Sequence, residues 1–505
     1  PTPIPPTPVP TPIPPTPVPT PIPPTPVPTP IPPTPTPTPP RTISAIDAAV
    51  SQVQRQPSSK LAFTPSRDRD VVESASDSLK RIEKSTGKKP AIIYASFLTD
   101  TGIASTDPTL PSNDDALTAE YLQKLQIPQK NSYIPISQFA NKLAQQQIKQ
   151  GKQPIQGSDQ ISLILVTSSG KPIRKTVNVT RKKVLDAAED LLAQVEVAPQ
   201  LDRSKEAYLK PSQQLYQWLV APMTEELEKQ KIDTILFSMD EELRGLPIAA
   251  LHDGKKFIIE TYSVGITPSF KLTDTRYQNI KNSQVLAMGA TEFTNNTPLP
   301  SVPFELDIIR NSWPGAVFLN QEFTLANLKA QRERTPYGII HLATHADFVS
   351  GDDAFIQLYG SERLNTNQLR SLGWGTPPVE LLILSACKTA RGDADAELGF
   401  AGIALQANVK SVIASLWKVS DEGTLVLMNE LYRQLNRSEV TIKAEALRQA
   451  QLAMLKGQIR LQGGKLLGAR GGNVTLPANL VTKLQQEDLS HPFYWAAFTM
   501  VGSPW

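Results

Sequence analysis

Residues 1–36 are four copies of one nine-residue unit, Pro-Thr-Pro-Ile-Pro-Pro-Thr-Pro-Val, with Thr36 replacing the last valine. Of the 47 prolines in the 505-residue chain, 23 lie in residues 1–40. Proline fixes φ and carries no N–H, so neither a helix nor a sheet ladder can form there. The tract has no aromatic and no charged residue before Arg41. It is expected to be a disordered polyproline spacer, about 120 Å long if fully extended. Any fold must come from residues 41–505, where the other 24 prolines are at ordinary globular density.

Charge and apolar run length remove several classes. Lys and Arg number 51 against 48 Asp and Glu, for a net charge of +3. No dense basic stripe is present, which argues against a nucleic-acid binder. The apolar runs are short, such as Ile161 to Val166, itself interrupted by Ser162, and far below the ~18–20 residues of a membrane span. No signal peptide is visible, and the sequence starts at proline rather than methionine, so localisation stays open. The single cysteine, Cys387, excludes an intramolecular disulfide. Histidine is scarce too: His252, His341, His345 and His491.

Residues 41–200 are poorly marked. Short helices are expected at 43–54 and 71–84, a strand at 89–98, a loop through 115 and an amphipathic helix at 136–150. Residues 160–167 and 173–179 flank Ser169-Gly170-Lys171 and read as a hairpin, followed by a helix at 184–195. From about 201 the pattern changes. A helical stretch over 212–230 is re-aimed at Pro222. Strands are expected at 234–239, 257–269, 284–290, 338–345, 380–387 and 411–419. Helices are expected at 303–313, 324–332, 366–372, 399–409, 421–435 and 442–456. Short apolar strands alternating with amphipathic helices define an α/β fold with a mostly parallel sheet flanked by helices. A Gly-rich loop is expected at 463–472 and a last strand at 493–502.

Two of these strands carry chemistry at their ends. Residues 379–387 read V-E-L-L-I-L-S-A-C, and residues 338–345 read G-I-I-H-L-A-T-H. In open parallel sheets, active sites lie beyond the carboxyl ends of the strands. Cys387 and His345 are therefore expected at one edge, where an imidazole can activate a thiol and later protonate the leaving group. His341 reads as a core residue, His491 as structural and His252 as a solvated turn. A zinc pair of His341 and His345 is disfavoured, because i,i+4 spacing converges on a helix and not on a strand. Trp417 and Trp495 read as core, and Asp347, Asp393, Asp395 and Glu397 as a solvated loop. The Gly-rich loop lacks the spacing of a phosphate-binding loop.

The strings H-L-A-T-H-A-D-F (341–348), L-S-A-C-K-T (384–389), S-V-I-A-S-L-W-K-V-S-D (411–421) and H-P-F-Y-W-A-A-F (491–498) resemble the CHAT domain, grouped with the caspase-fold cysteine peptidases. L-Y-Q-W-L-V-A-P-M (215–223), L-R-G-L-P-I-A-A-L (243–251) and Y-S-V-G-I-T-P-S-F (262–270) extend the resemblance over about residues 201–505. The resemblance implies a caspase-like domain at 201–505; with the proline composition, the expected organisation is a spacer at 1–40, a small α+β region at 41–200 and that domain.

By resemblance, Cys387 is the nucleophile of a cysteine endopeptidase and His345 its base. Backbone N–H groups near Ala346 and Cys387 form the oxyanion hole. Ala346 stands where the family usually has glycine, and keeps the N–H provided φ need not be positive. No cofactor and no metal is implied, and the partner is a protein substrate or regulatory protein. The alternative is a catalytically silent scaffold on the same fold; a structural protein dominated by its rod leaves the 201–505 pattern unexplained. Family specificity is set after the cysteine strand's successor, where Asp421 is expected to floor the substrate pocket and favour a basic residue before the cut. Ser420 or Asp421 could instead cap the helix that begins there.

Overall fold

The computed structural model describes residues 75–98, 160–196, 206–268, 270, 273–347, 354–386, 389–390, 398–462, 464–467 and 473–505. The proline tract, the helices expected at 43–54 and 136–150, and Cys387, Asp393, Asp395 and Glu397 lie outside the described residues. In chain order the strands are β1 (Pro90–Leu98), β2 (Gln160–Thr167), β3 (Ile173–Thr180), β4 (Thr234–Met239), β5 (Ser263–Thr267), β6 (Val285–Gly289), β7 (Gly315–Leu319), β8 (Ile339–Ala343), β9 (Ala346–Asp347), β10 (Phe355–Gln357), β11 (Arg363–Asn365), β12 (Leu381–Ser385), β13 (Ser411–Ser415), β14 (Arg460–Gln462), β15 (Lys465–Leu467), β16 (Asn473–Thr475) and β17 (Phe498–Gly502).

Eleven of them form one sheet in the order β3-β2-β1-β4-β5-β17-β13-β12-β8-β6-β7. Pairing is antiparallel at β3–β2, β2–β1 and β17–β13, and parallel elsewhere. The expected mostly parallel α/β sheet is what the chain forms. β9, β10 and β11 make a small antiparallel sheet, as do β14, β15 and β16.

Both faces of the large sheet are covered, as parallel strands require. On β1 the alternation separates two cores. Ala91, Ile93 and Ala95 pack with Val184, Leu191 and Leu215 from helices Arg181–Val195 and Leu209–Leu219. Ile92 and Tyr94 pack instead with Leu79 and Ile82 of helix Ala75–Thr86. Thr180 caps the start of helix Arg181–Val195, its side chain accepting from Lys183 N–H. Trp417 and Trp495 are buried, as expected.

Several elements differ from the sequence reading. Residues 257–269 are not one strand: a 3-10 turn, Ile258–Glu260, precedes β5. Residues 493–502 divide into helical turn Pro492–Trp495 and β17, because His491 caps a turn with proline at its first position. Strands β14 and β15 bracket Gly464, where a loop is expected; its φ of +73° makes the tight reversal between them. The expected strands 338–345 and 380–387 end early, at Ala343 and Ser385. There the chain leaves the ladder: Thr344 Oγ1 donates to Gln357 O at 2.5 Å, and Gln357 N–H to His345 O at 2.8 Å, starting the small sheet.

Beneath that edge lies a buried polar group. His341, fully buried on β8, is bonded at both ring nitrogens, through Nε2 to Glu305 Oε1 at 2.8 Å and through Nδ1 to Tyr432 OH at 3.2 Å. Burial pushes the Tyr432 phenol well above its usual range. His341 is therefore a structural residue, tying β8 to helices Val302–Ser312 and Asp421–Leu435. His341→Ala should strand the Glu305 carboxyl without this partner and open a cavity, costing about 3–5 kcal/mol. Urea denaturation with an unchanged m-value would measure it; a loss under about 1 kcal/mol would contradict this role.

Candidate active site

The sheet dictates where a site can form. From β6 the chain steps outward to β7, then returns to the other side of β6 to form β8, and continues to β12. The strand order thus reverses between β6 and β8, and loops leaving their carboxyl ends diverge around a crevice. The register is continuous across it: Gly289 pairs with Ala343, and Ala343 with Ser385. Thr344 N–H donates to Ser385 O at 3.1 Å, one step beyond the ladder.

His345 is the next residue, half-buried, with its ring centroid 4.6 Å from that of Phe293. Its Nε2 lies 2.8 Å from the Thr297 carbonyl. A carbonyl only accepts, so Nε2 carries the proton and Nδ1 keeps its lone pair. Burial holds the imidazole below its usual pKa of 6.5; the Thr297 bond opposes this, and the charge of Lys418 reinforces it. A neutral imidazole with one free lone pair can accept a proton near neutral pH.

Residues 290–301 shape this environment. Ala290 N–H donates to Ala343 O at 3.2 Å and Thr291 N–H to Asn320 Oδ1 at 2.8 Å. Leu299 N–H closes back onto Thr291 O at 3.0 Å. Gly289 is needed where this segment begins, since a Cβ there would sit 2.8 Å from both Ala343 O and Val302 Cγ1.

The segment ends on Asp421. Ser301 N–H donates to Asp421 Oδ2 at 2.9 Å. Burial raises the Asp421 carboxyl to about 6, and that of nearby Glu487 to about 7. Ser420 is the helix cap: its Oγ accepts from Gly423 N–H at 3.1 Å, leaving Asp421 in the first helical turn. Residues 297–301 therefore touch both His345 and Asp421. Ala346 has no positive φ, so its backbone does not demand glycine.

Cys387 lies outside the described residues, so the structure gives no distance from it to His345. Its neighbour Ala386 and the next described residue, Thr389, are buried beside β13. The sequence assigns no role to Thr297, Phe293 or Lys418; one acts through a backbone carbonyl and the others across long sequence separations, for which no local signal exists. His491 is buried, its Nδ1 accepting from Phe493 N–H at 3.2 Å, and His252 Nδ1 accepts from Gly254 N–H at 2.9 Å in a partly exposed turn. Asp347 is exposed. Among the described residues, no group of three His, Cys, Asp or Glu side chains could hold a metal ion. Among the same residues, no helix is long and apolar enough to cross a membrane.

The CHAT domain family model matches residues 209–503, more than half of the chain, and the protein belongs to that family. Among solved structures, the Arg-specific cysteine proteinase gingipain R is similar over 64% of this chain and 75% of its own, at 11% identity and a TM-score of 0.37. The pro- and mature domains of Porphyromonas gingivalis RgpB match 64% of this chain and 76% of theirs, at 11% identity and a TM-score of 0.34. The Saccharomyces cerevisiae separase–securin complex matches 64% of this chain and 22% of its own, at 12% identity and a TM-score of 0.33. No curated protein sequence matches the chain.

Lys418 gives a direct test of the electrostatics. Its positive charge disfavours imidazolium, so Lys418→Gln should raise the His345 pKa. Ring-proton NMR titration, with His345→Ala to assign the resonance, should show the midpoint moving to higher pH. A downward move would refute the assigned cause.

Proposed function

We propose that the protein is a cysteine endopeptidase acting on a protein partner through Cys387 and His345. The observation that carries this reading is the adjacent, in-register pairing of β8 and β12 at the reversal of strand order, with His345 two residues past one strand end. Cys387 stands two residues past the other in sequence. Membership of the CHAT family supports it.

In this reading His345 Nδ1 takes the thiol proton and the thiolate attacks the scissile carbonyl. The new C–S bond pushes the carbonyl π pair onto oxygen, where backbone N–H groups near Ala346 and Cys387 hold the oxyanion. Collapse breaks the C–N bond as the imidazolium gives its proton to the leaving amine. Water, deprotonated by the same imidazole, then cleaves the thioester and regenerates the thiol. Cys387→Ala and His345→Ala should each remove cleavage of a peptide library while the melting temperature is kept, since each deletes a chemical step and not the core. Undiminished cleavage in Cys387→Ala would refute the peptidase reading; a cleavage-dead protein that still binds its partner would be the silent scaffold.

Asp421 is the proposed pocket floor, favouring Arg or Lys before the scissile bond. Because its carboxyl titrates at about 6, it is ionised above that pH and neutral below it. The preference for Arg over a neutral isostere should fall as pH drops through about 6, a ratio in which His345 titration cancels. In Asp421→Asn the ratio should be lower by roughly tenfold or more and flat with pH. A preference for acidic residues, or an unchanged ratio in the variant, would sink the assignment.

A further inference from the structure

Four Asn or Gln side chains are buried among the described residues, Gln357, Asn429, Gln434 and Gln451, and three of them serve the fold. Gln357 Nε2 donates to Glu362 O at 2.8 Å and Gln434 Nε2 to Glu430 Oε1 at 2.6 Å. Gln451 Nε2 donates to the carbonyls of Trp495 and Phe498, both at 3.0 Å. The Asn429 amide, in a residue only 9% exposed, makes no hydrogen bond to a described residue. A buried amide without a protein partner is costly and calls for another use. Asn429 lines a cavity of about 520 Å³ between helices Val302–Ser312 and Asp421–Leu435, with β16 on a third side.

The cavity wall repeats the same chemistry. Asn311 from the first helix and Asn436 at the end of the second add two primary amides, neither bonded through its side chain to a described residue. Arg433 is fixed by Glu430, to which its Nε donates at 2.7 Å and its Nη2 donates as well; its Nη1 makes no such bond. Asp307 contributes a carboxylate and Phe304 an aromatic ring. The charges of Asp307 and Arg433 cancel, and each amide presents a donor and an acceptor side by side. A ligand matched to this wall is uncharged, compact and dense in groups that both donate and accept. Sugar hydroxyls do so on nearly every ring carbon, whereas an extended peptide offers one donor and one acceptor per ~3.3 Å of chain. The volume falls within the ~300–1,000 Å³ of small-molecule sites and has room for one or two sugar rings. From Asp421 to Asn429 is about 12 Å along the helix axis. The cavity shares no residue with the surroundings of His345.

We propose that this cavity binds a neutral sugar of one or two rings, with Asn429 as its buried hydrogen-bonding group, a site separate from the dyad and independent of peptidase activity. The test is saturation-transfer NMR on the full chain with glucose, galactose, mannose, N-acetylglucosamine, maltose, cellobiose and lactose. Glucose 6-phosphate and an N-acetylated, C-amidated tetra-alanine peptide serve as contrasts. At least one neutral sugar should bind. Asn429→Leu keeps the side chain's size and removes its amide, and should weaken that sugar by roughly tenfold or more. Because the amide has no partner in the fold, the same change should leave the melting temperature unchanged or raise it. Asn436→Ala, at an exposed position, should also weaken binding while leaving the core intact.

The proposal is overturned if no neutral sugar in the set binds with a Kd below about 10 mM. Equal binding by wild type, Asn429→Leu and Asn436→Ala would overturn it as well, as would a preference for the phosphate or the peptide over every neutral sugar. A lower melting temperature in Asn429→Leu would make the amide a structural group and remove the reason for assigning it to a ligand.

Discussion

The parallel ladder joining β6, β8 and β12 governs the rest of the molecule. Its strands are buried on both faces, so side chains within it can only pack, and reactive groups must wait until the chain leaves the sheet. His341 and His345 show the division. Four residues apart, one is fully buried and saturated by Glu305 and Tyr432, whereas the other is half-buried and keeps a nitrogen lone pair. The same side-chain type is thus saturated inside the ladder and left with a lone pair beyond it. The Ala343–Ser385 register then brings the two departing loops off neighbouring strands at matching heights.

Much of this is legible in sequence because it depends on local periodicity. The helix expected at 421–435 has those limits, set by Ser420 at its start and by an apolar stripe that runs to Leu435. Strands 234–239 and 160–167 are equally plain. What escapes is structure whose cause is non-local. β7, only five residues behind a Pro-Gly pair, has no signal beyond a short apolar run; its place in the sheet depends on β6 lying against it, with Gly315 allowing contact too close for any Cβ. Pro492 signals the turn at 492–495, but it is one residue set against an unbroken aromatic run that favours a strand.

The site divides in the same way. His345 and Cys387 stand out because strand-end position and residue type coincide. Thr297 is invisible, since a backbone carbonyl leaves no trace in residue identity. Ser415 stands in plain view inside a recognised string, yet a serine in a strand gives no hint that its N–H, Oγ and carbonyl will all be used on another segment.

Burial, more than any pairing of charges, sets the electrostatics at this edge. Desolvation is the leading cause of the downward shift at His345 and of the upward shifts at Asp421 and Glu487. These directions are opposite in sign but identical in meaning, since each favours the uncharged form. Residues 290–301 contribute on both sides: Phe293 covers the imidazole, and Ser301 closes over Asp421. A segment that excludes water from two titrating groups couples them without any direct contact. Moving it would relax both toward their ordinary values, putting charge on the imidazole at higher pH and on the carboxyl at lower pH. The imidazole held below its usual pKa and the carboxyl raised to about 6 thus lie against one segment, which the bonds to Asn320 and Ala343 tie to the sheet edge.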